Sequence, residues 1–416
     1  MQINSNNSFF FIFTVLVSAA FFLSIEPGRS IKTWGSGLWF ATIFFQIVIW
    51  GYFFLKNSNI LLSIFLFTLY LILVVNFILT PFTSSIKSHF SLPKNMNIKK
   101  ILSDDTMYGF DKDKKIIIKT DVKGFRVSNE IDYLTNKNQK KIILLGGSQV
   151  EEIYLNFNET WGNELSKNLI KNYNQKIEVV NTGVSGLRVN QLKKNLLYFI
   201  NNNIKAEHYF FLFGQNDWNQ HIIENNFSNL ESLFHKFSFR KSLIMKVYTL
   251  INLELNPSSR KTVSVIQRYG KNQSNSFKNR KIIKNNLTTI PNQYKNDVKQ
   301  IIKICNDNNL SCIFLENPTA YNKKASNKLK KNFWQTPPNA DYSLNLESLI
   351  SISKLYNNWL KEVVEKNNFL FCEINKFLEP TEINFYDDSH FNPQGSKKIA
   401  NIITVCLNKN LKWMGK

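Results

Sequence analysis

The sequence predicts an α/β protein: an α/β/α three-layer domain around a five-stranded parallel sheet, preceded by three transmembrane helices. Three observations carry this reading. From about residue 140 onward, short apolar runs alternate with amphipathic helical stretches. Several of those runs end in glycines or polar turns. The first 82 residues, in contrast, are almost without charge.

Within residues 1–82 the only charged side chains are Glu26, Arg29, Lys32 and Lys56. Uncharged apolar runs occupy about residues 9–25, 35–55 and 60–82. A bilayer-spanning helix needs roughly 20 apolar residues, so the second and third runs qualify and the first is slightly short. A cleaved signal peptide is the rival reading of the first run. It is disfavoured, because "MQINSNNS" has no positive charge and "SIEPGRS" makes a poor cleavage site. Residues 83–139 read as a connector, in which "KKIIIKTDVKGFRVS" is a short β segment.

The main domain is expected over 140–409. "KKIILLGG" reads as a buried parallel strand, being short, apolar and closed by glycines. "ETWGNELSKNLIKN" follows as a helix with Trp161, Leu165 and Leu169 on one face. "KIEVVNTG" and "EHYFFLFGQ" are the next two strands, separated by the helix "VNQLKKNLLYFINN". After an insertion at about 220–290, "NQYKNDVKQIIKICNDN" is helical and "SCIFLENP" is the fourth strand. A second insertion at about 318–343 reads as a loop. The helix "LESLISISKLYNNWLKEVVEK", the strand "FLFCEI" and a last helix starting at Asn392-Pro393 complete the series. Asparagine before proline is a helix-start signal. Strands alternating with helices in this way imply a parallel sheet covered on both faces.

Almost all of the net charge of +22 lies beyond residue 82. No aromatic-basic interleaving marks a nucleic-acid groove, so composition bias accounts for it better than a nucleic-acid partner. Residues 257–295 hold many lysines and arginines and no acid; a solvated loop is the simplest reading, with a lid or a foot on anionic lipid as rivals. Cys305, Cys312, Cys372 and Cys406 show neither a C-x-x-C pair nor metal-ligand spacing. Cys372 and Cys406 sit in apolar runs and read as small core residues.

Ligands of open parallel sheets bind beyond the carboxyl ends of the strands. The polar residues expected there are Ser148 in "GGSQ", Gly183, Ser185 and Gly186 in "NTGVSG", Asn216 and Asp217 in "GQNDW", and Asp387, Asp388 and His390 in "YDDSH". A serine hydroxyl is a weak nucleophile and needs an adjacent base. His390 can serve as that base, with a carboxylate three residues earlier to orient it. The backbone N–H groups of Ser148 and Gly186 and the Asn216 amide can face an oxyanion. A metal held by Asp387, Asp388 and His390 is disfavoured, because ligands crowded into four residues rarely surround one ion.

These residues resemble the SGNH hydrolases, the GDSL esterase/lipase superfamily. The family carries Ser, Gly, Asn and His in ordered blocks on a flavodoxin-like sheet. Ser148 in "LLGGSQ", Gly186 in "NTGVSG", Asn216 in "GQND" and the D-x-x-H of Asp387 and His390 match those blocks in order. The resemblance implies Ser148, His390 and Asp387 as catalytic residues and Ser148, Gly186 and Asn216 as the oxyanion hole, with no metal and no cofactor. Two departures stand out. Gly147 replaces the family's aspartate, and Glu152 stands where a glycine is common, bringing a charge to the pocket. Trp218, Arg188 and Glu152 are candidates for touching substrate.

The expected function is a membrane-anchored serine esterase acting on an acyl ester of a lipid or cell-envelope saccharide. An O-acyltransferase using the same residues is one alternative; a non-catalytic envelope-binding protein is another. The expected partners are that ester and the lipid bilayer, without nucleic acid. The expected location is a multi-pass membrane protein. Arg29 and Lys32 share a side with Lys87, Lys94, Lys99 and Lys100, which favours a cytoplasmic domain by charge. Tethered relatives act on the envelope, and the balance leans towards an extracytoplasmic domain.

Overall fold

The computed structural model describes residues 89–102, 108–127, 140–173, 177–225, 281–284, 287–333 and 342–410. The three apolar runs, most of the basic segment and residues 128–139 lie outside the described residues. Among the described residues no helix is long and apolar enough to cross a membrane. The chain divides into two units. One of them, residues 1–87, 224–255 and 339–341, falls almost wholly outside the described residues; the other is the catalytic-type domain.

Its sheet is built around five parallel strands: β4 (Lys140–Gly146), β5 (Ile177–Asn181), β6 (His208–Leu212), β8 (Cys312–Leu315) and β10 (Leu370–Cys372). They lie in the order β5-β4-β6-β8-β10. Successive side chains of a strand point to opposite faces. Accordingly Ile143 and Leu145 of β4 join one core with Val180, Phe211 and Phe314, whereas Ile142 and Leu144 join another with Val179, Phe210 and Ile313.

Among the described residues eight helices accompany the sheet, in chain order α1 (Ser148–Glu151), α2 (Trp161–Tyr173), α3 (Val189–Asn201), α4 (Gln215–Asn225), α5 (Asn292–Asp307), α6 (Asn327–Lys330), α7 (Leu346–Lys366) and α8 (Pro393–Asn410). The apolar stripes of α3, α4, α5 and α7 cover the first face, and those of α2 and α8 the second. Trp161, Leu165 and Leu169 of α2 are all fully buried, as their i, i+4, i+8 spacing requires. Asn392 caps α8 by accepting the Gly395 N–H at 3.0 Å.

The sheet has eight strands, not five. The extra three come from the segment read as a connector: β1 (Asn97–Leu102), β2 (Lys114–Thr120) and β3 (Arg126–Val127). They run antiparallel and join the sheet through β3 and β5. Their inner side chains Leu102, Ile116 and Ile118, with Met96 just before β1, pack on Ile153, Tyr154 and Tyr386. Lys99 and Lys100 interrupt the apolar pattern of β1, which is why it gives no clear strand signal in the sequence.

The two insertions also meet. β7 (Lys281–Ile283) ends the first and β9 (Tyr342–Leu344) ends the second, and they form a two-stranded parallel ladder. The second insertion is not merely a loop, since it contains α6 and supplies Tyr321 to the core.

All four cysteines are paired. Cys305 of α5 bonds Cys312 of β8, and Cys372 of β10 bonds Cys406 of α8. Cys372 and Cys406 are therefore cross-links and not simple core residues; a helix and a strand 34 residues apart bring them together. Closing a loop of that length removes freedom from the unfolded chain. Replacing Cys372 and Cys406 with alanine is expected to cost about 2–4 kcal/mol, read as a lower denaturant midpoint with a steeper slope, because the unlinked unfolded chain exposes more surface.

Candidate active site

The site lies at the carboxyl ends of the parallel strands. β4 ends in Gly146, and Gly147 leads directly into the single turn of α1, so Ser148 is the first helical residue after a sharp turn. A Cβ on Gly147 would lie 2.5 Å from the Asn216 amide nitrogen. This close approach accounts for the second glycine of "GGS", and it places the Asn216 side chain directly beside the nucleophile turn.

Asp387, Ser389 and His390 sit on the loop between β10 and α8. Asp387 Oδ1 accepts the backbone N–H of Ser389 at 2.8 Å and of His390 at 2.7 Å. Its Oδ2 lies 2.8 Å from His390 Nδ1. On the other side of the ring, His390 Nε2 is 2.7 Å from Ser148 Oγ. The alcohol, imidazole and carboxylate therefore form one continuous line, although Ser148 and His390 are 242 residues apart.

His390 is buried, and its ring stacks on Tyr386 with centroids 5.5 Å apart and planes 10° from parallel. Burial by itself lowers its pKa. The Asp387 charge and hydrogen bond, with Asp388 and Glu151 nearby, more than offset this and raise it above the usual histidine value. A general base must be neutral to accept a proton. Activity is therefore expected to rise with pH through a midpoint above the ordinary ~6.5 of histidine. A pH profile of kcat/KM measures this, and a Glu151→Gln or Asp388→Asn change should move the midpoint down.

The oxyanion side is less enclosed. Gly186 has φ +85°, a left-handed conformation that side chains other than glycine's rarely adopt. It is exposed at the tip of the loop after β5. Asn216 lies in the first turn of α4 and not in a free turn; one of its amide hydrogens is donated to Leu187 O at 2.8 Å. The second hydrogen is available for an oxyanion. Asp217 plays a supporting part, accepting the Val189 N–H at the start of α3; burial pushes its carboxyl up to about 7.

Two of the expected substrate contacts are corrected. Trp218 is fully buried, packed edge-on against Tyr356 at 5.7 Å, because the period of α4 turns it towards the sheet. Glu152 is also buried. Its carboxylate accepts the Trp161 N–H at 2.8 Å and the Ser396 hydroxyl, joining α2 to α8. Burial, only partly countered by these bonds, pushes it up to about 8. It helps line a small cavity with Ser148, Gln149, Tyr154, Tyr386 and His390, but its oxygens are taken up by structure. Arg188, in contrast, stays half-buried on the loop before α3, its charge near Asp217.

Several supporting residues were not legible in the sequence. The Gln149 amide donates to Pro318 O and Ser389 O at 2.8 and 2.9 Å, tying α1 to the histidine loop. Tyr321 donates to Asp388 at 2.7 Å, and Ala320 N–H donates to Asp388 O at 2.8 Å. Arg126 of β3 is buried and donates to the carbonyls of Glu151, Glu152 and Leu155. A glutamine, a loop tyrosine and a connector arginine carry no motif; only their neighbours in space reveal them. Among the described residues no group of His, Cys, Asp and Glu is placed to hold a metal ion.

A doubly wound α/β domain with an aligned Ser-His-Asp line at its strand ends is the class that fold and site define. Neither a protein-family model nor a curated protein matches the chain. Solved structures that it resembles include three lipolytic or esterase proteins. A member of the lipolytic G-D-S-L family from Veillonella parvula shares 11% identity with a TM-score of 0.35, over 65% of this chain and 99% of that one. The psychrotrophic esterase EstA from Pseudoalteromonas sp. shares 11% with a TM-score of 0.34, over 65% and 98%. An acetyl xylan esterase shares 11% with a TM-score of 0.36, over 64% and 99%. Likeness at this level carries no functional argument, and the chemistry is read from the side chains of this chain.

Proposed function

We propose that the chain is a membrane-anchored serine esterase of the SGNH type, acting on an acyl ester of a lipid or cell-envelope saccharide. The observation that carries this reading is the unbroken hydrogen-bonded line from Ser148 Oγ through the His390 ring to Asp387.

In this mechanism Ser148 Oγ attacks the ester carbonyl carbon as its proton passes to His390 Nε2. Asp387 holds the imidazole by Nδ1 and stabilises the cation. The oxyanion of the tetrahedral intermediate faces the backbone N–H groups of Ser148 and Gly186 and the Asn216 amide. His390 then returns the proton to the leaving alcohol. Water enters, gives its proton to His390 and attacks the acyl-serine, releasing the acid and restoring Ser148. Arg188, half-buried two residues after Gly186, is the candidate contact for the substrate's remote portion.

The tether rests on the three apolar runs of the first 82 residues. The two disulfides support a domain facing away from the cytoplasm, because such bonds persist in oxidising compartments. This agrees with the extracytoplasmic placement and opposes the charge count of the flanking loops.

Labelling of the full chain with a serine-directed fluorophosphonate tests the reading. Wild type should be modified at Ser148 and Ser148→Ala should not; a wild type that neither labels nor cleaves simple acyl esters would defeat it. Product analysis with and without a saccharide acceptor separates hydrolysis from acyl transfer.

A further inference from the structure

Glu151 is a buried carboxylate that the mechanism above does not use. It lies three residues after Ser148, at the other end of the single turn of α1. Its Oε2 accepts both the backbone N–H and the hydroxyl of Ser185, each at 2.5 Å. Ser185 immediately precedes Gly186.

The loop bearing Gly186 is held at its base by backbone contacts. Gly183 N–H donates to the Asn181 side chain at 2.9 Å, which in turn donates to Val150 O at 2.7 Å. Its tip is different. The Cβ position of Gly186 is open space, and its turn is closed by the Leu187 N–H donating to Val184 O at 3.2 Å. Beyond that turn bond it lies between two side-chain anchors, Ser185 bound by Glu151 and Leu187 bound by Asn216. One anchor comes from the nucleophile helix and the other from the amide that itself faces the oxyanion.

We infer that Glu151 is a positioning residue: its carboxylate sets the Gly186 N–H in register with the Ser148 N–H by clamping Ser185 to the nucleophile helix. This rests on the serine-esterase reading. An oxyanion donor acts only when it is held in place before the charge forms, because a mobile dipole must reorganise during the reaction. Two hydrogen bonds to one carboxyl oxygen restrain both the backbone and the side chain of Ser185, which suits a clamp on an exposed loop. Burial raises the pKa of Glu151, and this is only partly countered by its two bonds from Ser185, by the Arg126 guanidinium bonded to the Glu151 carbonyl, and by His390.

The test compares wild type, Glu151→Ala, Glu151→Gln and Ser185→Ala in the full chain, by steady-state ester hydrolysis and by the rate of fluorophosphonate labelling. Glu151→Ala should lower kcat about 10- to 100-fold, short of the ~10²–10³ for removing a donor outright, with KM within a factor of about three. Glu151→Gln keeps an acceptor oxygen for Ser185 and should recover most of the loss. Ser185→Ala removes one of the two bonds and should cost about fivefold in kcat, the worth of one hydrogen bond. Wild-type kcat in Glu151→Ala, or equal losses in Glu151→Ala and Glu151→Gln, would overturn the inference. If Glu151→Ala does not fold, Ser185→Ala decides, since its side chain is on an exposed loop: unchanged kcat there overturns the clamp. An active, labelled wild type with unimpaired variants counts against the clamp alone, whereas an inactive, unlabelled wild type counts against the esterase reading.

Discussion

Replacing Ser148 with alanine is expected to reduce ester turnover on the order of 10⁴-fold or more, the scale on which such triads lose activity when a member is removed. The size of the effect follows from geometry. Ser148 Oγ is the atom within hydrogen-bond reach of His390 Nε2, and without it no acyl-enzyme can form at this position. Ser185, the other serine on this rim, cannot substitute: its hydroxyl is donated to Glu151. KM should change little, since the hydroxyl acts in the transition state more than in ground-state binding. Thermal stability should be near wild type, because Ser148 Oγ bonds to a group that also has Asp387. Ester hydrolysis by the purified variant within tenfold of wild type would remove Ser148 from the nucleophile role.

The second large effect is expected at Asp387. Asp387→Asn should reduce kcat by on the order of 10⁴-fold, as in triads whose carboxylate becomes an amide. The reason lies in how the side chain is held. Oδ1 accepts two backbone N–H groups, from Ser389 and His390, so an asparagine would keep its carbonyl oxygen there. Its NH2 would then face His390 Nδ1, where the carboxylate now accepts a hydrogen bond. The imidazole would be forced into the tautomer protonated at Nε2, which cannot take a proton from Ser148. Activity should recover in part at high pH, where the Ser148 proton is more readily lost to solvent. Asp388→Asn provides the contrast. Asp388 bonds Tyr321 and not the ring, so its replacement should affect stability more than it affects the tautomer. Equal kcat in wild type and Asp387→Asn would exclude the orienting role.

Together with the pH profile, the disulfide variants and the Ser185 clamp, these measurements separate chemistry from scaffold. The division matters because the scaffold around this site is unusually polar. Gln149, Asn317, Asn357 and Asp388 are all buried near or beneath α1 and the histidine loop. Buried polar groups stabilise only when their partners are present, so loss of one is felt along the network. A mutation there can mimic a catalytic defect, and comparing kcat with thermal midpoint distinguishes the two.

Much of the domain was legible in the residues. The strands β4, β5, β6, β8 and β10 and the helices α2, α3, α5, α7 and α8 fall close to where apolar periodicity put them. Each is an element buried on one or both faces, so its composition reports its surroundings directly. Ser148 and His390 were legible from their places beyond strand ends, which topology sends to one rim, and Asp387 is chosen over Asp388 by the D-x-x-H spacing of the family these residues resemble. The misses have a common cause. β1, the joining of β2 and β3 to the main sheet, the cysteine pairs, Arg126 and Glu151 depend on partners far along the chain, and periodicity is blind to those. Trp218 was misplaced because closeness to a motif in sequence does not show which side of α4 a residue occupies.

What the amino-acid order could dictate was local: period, turn chemistry, charge and the residue types at each strand end. Those follow from short-range sterics and the burial of apolar surface. The tertiary structure decided which groups meet. It put the alcohol of Ser148 against the ring of His390, a buried connector arginine under the nucleophile loop, and a glutamate's charge beneath Ser185. Hydrogen bonds act over about 3 Å, and only a packed fold brings residues separated by tens or hundreds of positions within that reach.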